Sequence, residues 1–173
     1  AADIGISRAF LDLQGLESFP YRYDHFAVAM DPGHPLARFP ELWFEQTLQY
    51  DRIGLTCDPQ QGDSMQALMQ KKAAALGCDP TCRIQVASYY AALRLLSGSH
   101  AVSILPIEAA RNHARELGVR LIPLSDAWAQ QQFVICVRSA ETLSLPARKL
   151  LAHLLDRTSA GHAERQMSCL LEK

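Results

Sequence analysis

The chain predicts an α/β fold with a parallel sheet, organised as two lobes. Two observations carry this. Residues 83–106 read as strand, helix, small-residue turn and strand, and Pro106 can open a further helix. Such β-α-β-α order implies parallel strands covered by helices, with ligands outside the carboxyl ends of the strands. Ser88 and Pro106 then sit at the rim of a cleft. The second observation is a pair of long strand patterns, 21–30 and 119–137 with an interruption at 126–132, which bracket the middle of the chain. A chain that leaves one lobe, builds a second and returns needs such a pair. The crossings are placed near Asp31 and Val119.

In order along the chain, residues 2–6 form a short apolar strand and 8–16 are irregular. From 21 to 30 the pattern alternates. Phe26, Val28 and Met30 share one face, His25, Ala27 and Ala29 the other, which is the period of a strand. Asp31-Pro32-Gly33-His34-Pro35 is a dense turn cluster. Residues 40–48 read as a short helix with Leu42, Trp43 and Leu48 as its apolar positions. Ile53-Gly54-Leu55-Thr56 is a buried strand, followed by a loop at 57–62. Residues 64–76 form an amphipathic helix with Met65, Leu68, Met69 and Leu76 on one side and Lys71 and Lys72 on the other, ended by Gly77. In the next strand Ile84 and Val86 share a face. Ser88 suits an N-cap and Gly98 a helix end. After Pro106, residues 107–117 form a helix ended by Gly118, with His113 and Arg115 in solvent. Residues 119–124 and 133–137 are strands. Residues 146–155 form a helix with Leu150, Leu151, Leu154 and Leu155 toward the core. Residues 158–173 read either as a docked terminal helix or as a fraying end.

Composition narrows the function classes. The 173 residues are 49% hydrophobic and 20% charged, ordinary for a globular protein. A net charge of −1 offers no basic excess for nucleic acid or an anionic membrane. No apolar run is long enough to span a bilayer, and residues 1–6 lack the pattern of a signal peptide. The five cysteines are irregularly spaced, which fits reduced thiols in a cytoplasmic protein better than a disulfide framework. Cys78 and Cys82 raise the question of a zinc pair, but no second pair completes it. Gly-x-Ser-x-Gly, His-Glu-x-x-His and phosphate-loop motifs are all absent. The six histidines are scattered, and His34 is explained by its turn. No enzyme, cofactor or metal is expected.

On this reading residues 1–30 and 120–158 make the first lobe, 31–119 the second, and 159–173 a tail. The first lobe holds one short strand, two crossing strands and one sure helix. That is thin cover for a sheet buried on both faces, so an incomplete lobe is expected.

Several stretches, in order, resemble a known family. They are Ala2-Asp3-Ile4-Gly5-Ile6; Tyr23 to Met30 leading to Gly33-His34-Pro35-Leu36-Ala37; Tyr50-Asp51-Arg52-Ile53-Gly54-Leu55; the 83–106 run; and Asp126-Ala127-Trp128-Ala129 through Ile135-Cys136-Val137-Arg138. Together they resemble the effector-binding domain of LysR-type transcriptional regulators. The resemblance implies the two-lobed type II periplasmic-binding-protein-like fold, with a first lobe shortened at its N-terminal side. It implies a small metabolite bound between the lobes, a homodimer or tetramer, and DNA contact only through a winged helix-turn-helix domain outside this chain. Family members often carry glycines where Ser99 and Ala101 stand, and an acid where Tyr90 stands. A free-standing solute-binding protein of the same fold is the alternative.

The candidate ligand-binding residues are those at strand ends. Ser7 and Arg8 follow the first strand, and Arg8 either pairs with a carboxylate or is solvated. Thr56 and Cys57 follow a buried strand, as cleft wall or as ordinary polar loop. Ser88 and Tyr89 open a helix, where exposed amides and the helix dipole favour an anion as well as a cap. Pro106 and Ile107 offer apolar cleft surface or core packing. The expected ligand is a small carboxylate.

Overall fold

The computed structural model describes residues 2–9, 13–55, 65–77 and 82–156. Its strands are β1 (Ile4–Arg8), β2 (Glu17–Met30), β3 (Arg52–Leu55), β4 (Cys82–Val86), β5 (Ser103–Pro106), β6 (Arg120–Pro123) and β7 (Gln130–Val137). The helices are α1 (Phe44–Thr47), α2 (Met65–Ala75), α3 (Tyr89–Leu96), α4 (Ile107–Leu117) and α5 (145–156). Contacts group the chain into two units. The described residues of 1–23 and 131–173 form one, and Asp24–Gln130 form the other. β2 passes from the first into the second.

In the second unit β2 is the central strand. β5 and β6 pair with it antiparallel, one on each side, Val28 facing Ile104 and Ile122. β3 lies parallel to β5 through the Arg52–Val102 bridge, and β4 lies parallel to β3. The Ser103 hydroxyl ties the two by donating to the Ile53 carbonyl at 2.8 Å. The strand order is therefore β4-β3-β5-β2-β6.

The two-residue period of β2 separates two cores, as the alternation requires. Phe26, Val28 and Met30 pack with Leu42, Phe44, Ile104, Ile122 and, from α2, Met69 and Ala73. Ala29 faces the other layer, with Leu93 and Leu96 of α3, Ala110 and Ala114 of α4, Ile53 and Leu105. Residues 26–30 are all at most 2% exposed, so this strand is covered on both faces. Each fully buried Leu or Phe here contributes about 1.5–3 kcal/mol.

In the first unit β1 pairs antiparallel with β7, from Ile4–Val137 to Arg8–Phe133, and β7 also borders β2. Ile135, Val137 and Leu151 form its core, against Ile4, Phe19, Tyr21, Leu154 and Leu155.

Most elements stand where the sequence places them, and α4 matches its expected bounds. The differences have local causes. The strand expected at 21–30 begins at Glu17, extended by pairing rather than by its own alternation. The helix expected at 40–48 is one turn, because Leu42 instead bridges to Leu124 beside β6. In α2 the buried side is Met69 and Ala73, while Leu76 is 47% exposed. In α5 Leu151 is buried and Leu150 is 51% exposed. The sequence puts the lobe crossings at Asp31 and Val119, whereas contacts divide the chain at residues 23/24 and 130/131.

The turn after β2 is held by two ionisable groups. The Asp31 carboxylate accepts from the Gly33 amide at 2.8 Å and, 67 positions away, from the Gly98 amide at 2.6 Å. Gly98 has a φ of 72°, left-handed backbone that glycine adopts without strain. The His34 ring is buried. Its Nδ1 accepts from the Leu36 amide at 3.1 Å, and its Nε2 lies 3.2 Å from the His100 carbonyl. This pair of contacts suits the neutral ring with its proton on Nε2. Burial, first, pushes the His34 pKa below its ordinary value.

Two predictions follow from this packing. The unfolded chain binds a proton near pH 6.5 that folded His34 refuses, so stability falls as pH drops through that value. Urea unfolding at pH 7.5 and 5.5 should show the loss, and His34→Gln should shrink the difference. The amides of Gly98 and Gly33 hold the Asp31 carboxyl below its ordinary range, so its contribution is present above pH 3.8 and lost only below it. The other prediction concerns β3. A Cβ built on Gly54 would stand 2.5 Å from Cys82 Sγ. Gly54→Ala should cost about 1–3 kcal/mol, and adding Cys82→Ala should recover most of it in a double-mutant cycle.

Candidate functional site at the strand ends of the second unit

β3, β4 and β5 run parallel, so their carboxyl ends share one edge of the sheet. That edge carries Leu55, Val86 and Pro106. β2 enters there too, because Phe26 lies opposite Pro106. Two helices start from the edge. α3 follows β4 after two residues, and α4 follows β5 directly.

The start of α3 is capped locally. Ser88 is extended, at φ −146° and ψ 153°, and its hydroxyl accepts from the Ala91 amide at 3.2 Å. Ser88 is exposed and Tyr89 half-buried. α3 packs against β3, β4, β5 and α4, which fixes its direction onto the edge. The start of α4 is capped from a distance. Pro106, its N-cap, has no side chain to offer, and the Asp24 carboxylate accepts from the Glu108 amide at 3.3 Å. The same oxygen accepts from the His25 amide at 2.7 Å. The His25 ring lies on the Leu124 carbonyl, with Nε2 at 2.6 Å.

Four of the candidate residues, Ser88, Tyr89, Pro106 and Ile107, thus stand on this one edge. Ser7 and Arg8 end β1 in the first unit, both half-buried. Thr56 and Cys57 lie outside the described residues, as does Cys78 of the questioned zinc pair. Asp24 and His25 are at the edge without having been singled out. Asp24 acts across 84 positions, and only the fold reveals that. A helix opened by proline, needing a cap from elsewhere, was the available hint. Among the described residues no group of three His, Cys, Asp or Glu side chains could hold a metal ion. Cys82 and Cys136 are free thiols. No described helix is long and apolar enough to cross a membrane.

Residues 1–159 match the model of the LysR substrate binding domain. The chain belongs to that family. None of the curated proteins matches it. Among solved structures it is similar to the BenM effector binding domain with its effector benzoate, at 18% identity and a TM-score of 0.73, over 92% of this chain and 71% of that one. It is similar to the QuiR effector binding domain in complex with shikimate, at 16% identity and a TM-score of 0.70, over 91% and 72%. Against full-length BenM the identity is 18% and the TM-score 0.73, over 93% of this chain and 52% of that one. The chain thus spans about half the length of that regulator. The likeness is one of fold, and the expected periplasmic-binding-protein-like α/β fold is the fold of this LysR domain.

Asp24 offers a check on the edge. Asp24→Ala should lower stability by about 1 kcal/mol in urea unfolding, through loss of an anionic cap. Asp24→Asn, which keeps an acceptor and loses the charge, should lose less.

Proposed function

We propose that this LysR domain is the ligand-sensing part of a transcriptional regulator, and that its ligand is a small carboxylate. The family match over residues 1–159 carries the sensing role. The ligand class draws support from the edge. α4 already holds the chain's own Asp24 carboxylate, whereas α3 is capped by the neutral Ser88 hydroxyl. The cap that the described residues give to the positive end of the α3 dipole is thus an uncharged one. The ligands named with BenM and QuiR, benzoate and shikimate, are both carboxylates.

On this reading Ser88 and Tyr89 meet the carboxylate, and Pro106 and Ile107 give apolar contact. Thr56 and Cys57 follow β3 and are proposed as contacts by that position. Ser7 and Arg8 enter as a strand end, with Arg8 as the charge-assisted partner. Ligand binding shifts a conformational equilibrium by differential affinity. In the longer protein that shift would control DNA binding by a winged helix-turn-helix domain. The domain would act as a homodimer or tetramer in the cytoplasm, without catalysis or cofactor.

A panel of small carboxylates and their uncharged amides tests this by thermal shift. A carboxylate should stabilise the chain and its amide should not. Arg8→Ala should weaken that binding by about ten- to hundredfold, the worth of a charge-assisted pair. Ser88→Ala removes a cap worth about 1 kcal/mol, so its binding is compared after its own melting point is measured. If Arg8→Ala and Thr56→Val both bind like wild type, the ligand sits elsewhere.

A further inference from the structure

Two turns of the second unit meet at a buried histidine. One, at 31–36, follows β2, and the other, at 97–101, ends α3. The second is braced within itself. The Ser99 amide and hydroxyl donate to the Leu96 carbonyl, at 3.0 and 3.1 Å, and the Ser99 oxygen accepts from the Ala101 amide at 3.3 Å. Two side chains of the first turn reach across to it. Asp31 holds the Gly98 amide, and the His34 ring rests on the His100 carbonyl. The helix ended by this turn is the one whose start carries Ser88.

The contacts of the ring decide what a proton does to it. His34 is 3% exposed. Its Nδ1 accepts from the Leu36 amide, so that nitrogen keeps its lone pair, and Nε2, against the His100 carbonyl, carries the hydrogen. A second proton can go only to Nδ1, where it points at the Leu36 N–H. Donor then meets donor, and that contact is lost. The turn itself keeps its backbone bonds. The Ala37 amide donates to the His34 carbonyl at 2.9 Å, and the Phe39 amide to the Leu36 carbonyl at 3.2 Å.

The groups around the ring direct its charge. Tyr50, just before β3, presents a ring edge-on with its centroid 4.5 Å away. From the turn that ends α3, the exposed His100 ring lies 6.3 Å away and repels when charged. Arg38 and Arg120 are turned to the Phe39 ring, at 5.0 Å, and the Ala37 carbonyl, at 3.4 Å. Among the described residues Asp31 is the carboxylate that acts on His34. The two share one tight turn, in which the His34 amide donates to the Asp31 carbonyl at 3.0 Å. The Gly98 and Gly33 amides hold the Asp31 carboxyl below its ordinary value, so it stays ionised wherever His34 titrates. Its two oxygens are engaged, Oδ1 by Gly33 within the turn and Oδ2 by Gly98 across to the other. An imidazolium that swings to Asp31 competes with these amides, with a full charge against their partial ones. The Gly98 bond, which spans the two turns, is the one free to part.

We propose that His34 is a pH-operated latch between the turn after β2 and the turn that ends α3: on taking up a proton at Nδ1, the ring lets go of the Leu36 amide, swings to Asp31 and displaces the Gly98 amide. The two turns part while both cores stay packed, and the C-terminal end of α3 loses its tie to β2. The closed ring is neutral. Burial, first, holds it below its ordinary value of 6.5, so the latch opens on the acid side of that value.

The test is an NMR titration of the isotope-labelled chain from about pH 8 to 5. The His34 ring and the Leu36 and Gly98 amides should titrate together, with one midpoint below 6.5. The Leu124 amide, bonded to the Phe26 carbonyl in the sheet, should stay in place. His34→Gln keeps an acceptor for Leu36 and a donor for His100 without a titrating group, so both amides should be flat over that range. His100→Ala keeps the carbonyl that His34 meets, so the shared titration should persist. Asp31→Asn removes the charge to which the ring swings and should lower the His34 midpoint. The proposal is overturned if the Leu36 and Gly98 amides do not follow the His34 ring, if they move equally in His34→Gln, or if His100→Ala abolishes their response. It is overturned as well if Asp31→Asn leaves the midpoint unchanged, or if the Leu124 amide moves with the others, which is unfolding of the whole unit.

Discussion

The alternation of large and small residues along the end of β2 is the constraint on which the second unit depends. Phe26, Val28 and Met30 project into one layer, and Ala27 and Ala29 lie between them. The large side fills the space beneath α2 and the turn around Leu36 and Leu42. The small side lets α3 and α4 approach with their own Ala92, Ala110 and Ala114. A bulky residue at Ala29 would overfill an interior already packed like a crystal. The neighbouring strand β5 shares this division. Ile104 and Leu105 repeat the division in β5, one to each core. α3, and with it Ser88, packs over β3, β4 and β5, and its Leu93 and Leu96 share their core with Ala29 of β2.

What could be read in advance was what the local chain decides. The two-residue period of residues 26–30 showed a strand, Ser88 showed a cap, and Gly118 showed a helix end; all three are local physics. What could not be read depends on partners far along the chain. Residues 17–20, Glu-Ser-Phe-Pro, carry no strand pattern and join β2 all the same. Leu76 and Leu150 are apolar but lie outside the cores, because burial is assigned by neighbours rather than by hydropathy. The Asp24 cap of α4 and the approach of Cys82 to Gly54 are likewise invisible before folding. At the candidate site, the strand ends were legible and the long-range cap was not.

The edge and the β2 turn use the same device with different outcomes. Asp24 and Asp31 each place a carboxylate on backbone amides of a distant element, Glu108 in one case and Gly98 in the other. One ties the middle of β2 to the start of α4, the other ties the residue after β2 to the turn that follows α3. The buried stretch Phe26–Met30 is thereby bracketed by two carboxylate contacts and held between them by apolar packing.

The pairing of β1 with β7 orders the events of folding. Asp24–Gln130 is continuous, and its strands find partners within that stretch. The first unit is not, since Ile4 must wait for Val137. On a ribosome releasing the chain from its N-terminus, the second unit has all its residues before β1 has a partner. Closing the outer pair across an unfolded chain would cost loop entropy that grows with the logarithm of its length. Closing it across a domain already folded shortens the effective loop to the distance between that domain's two ends. The inner unit acts as a template, and the partner that β1 finds among the described residues, β7, is made only after that unit is complete.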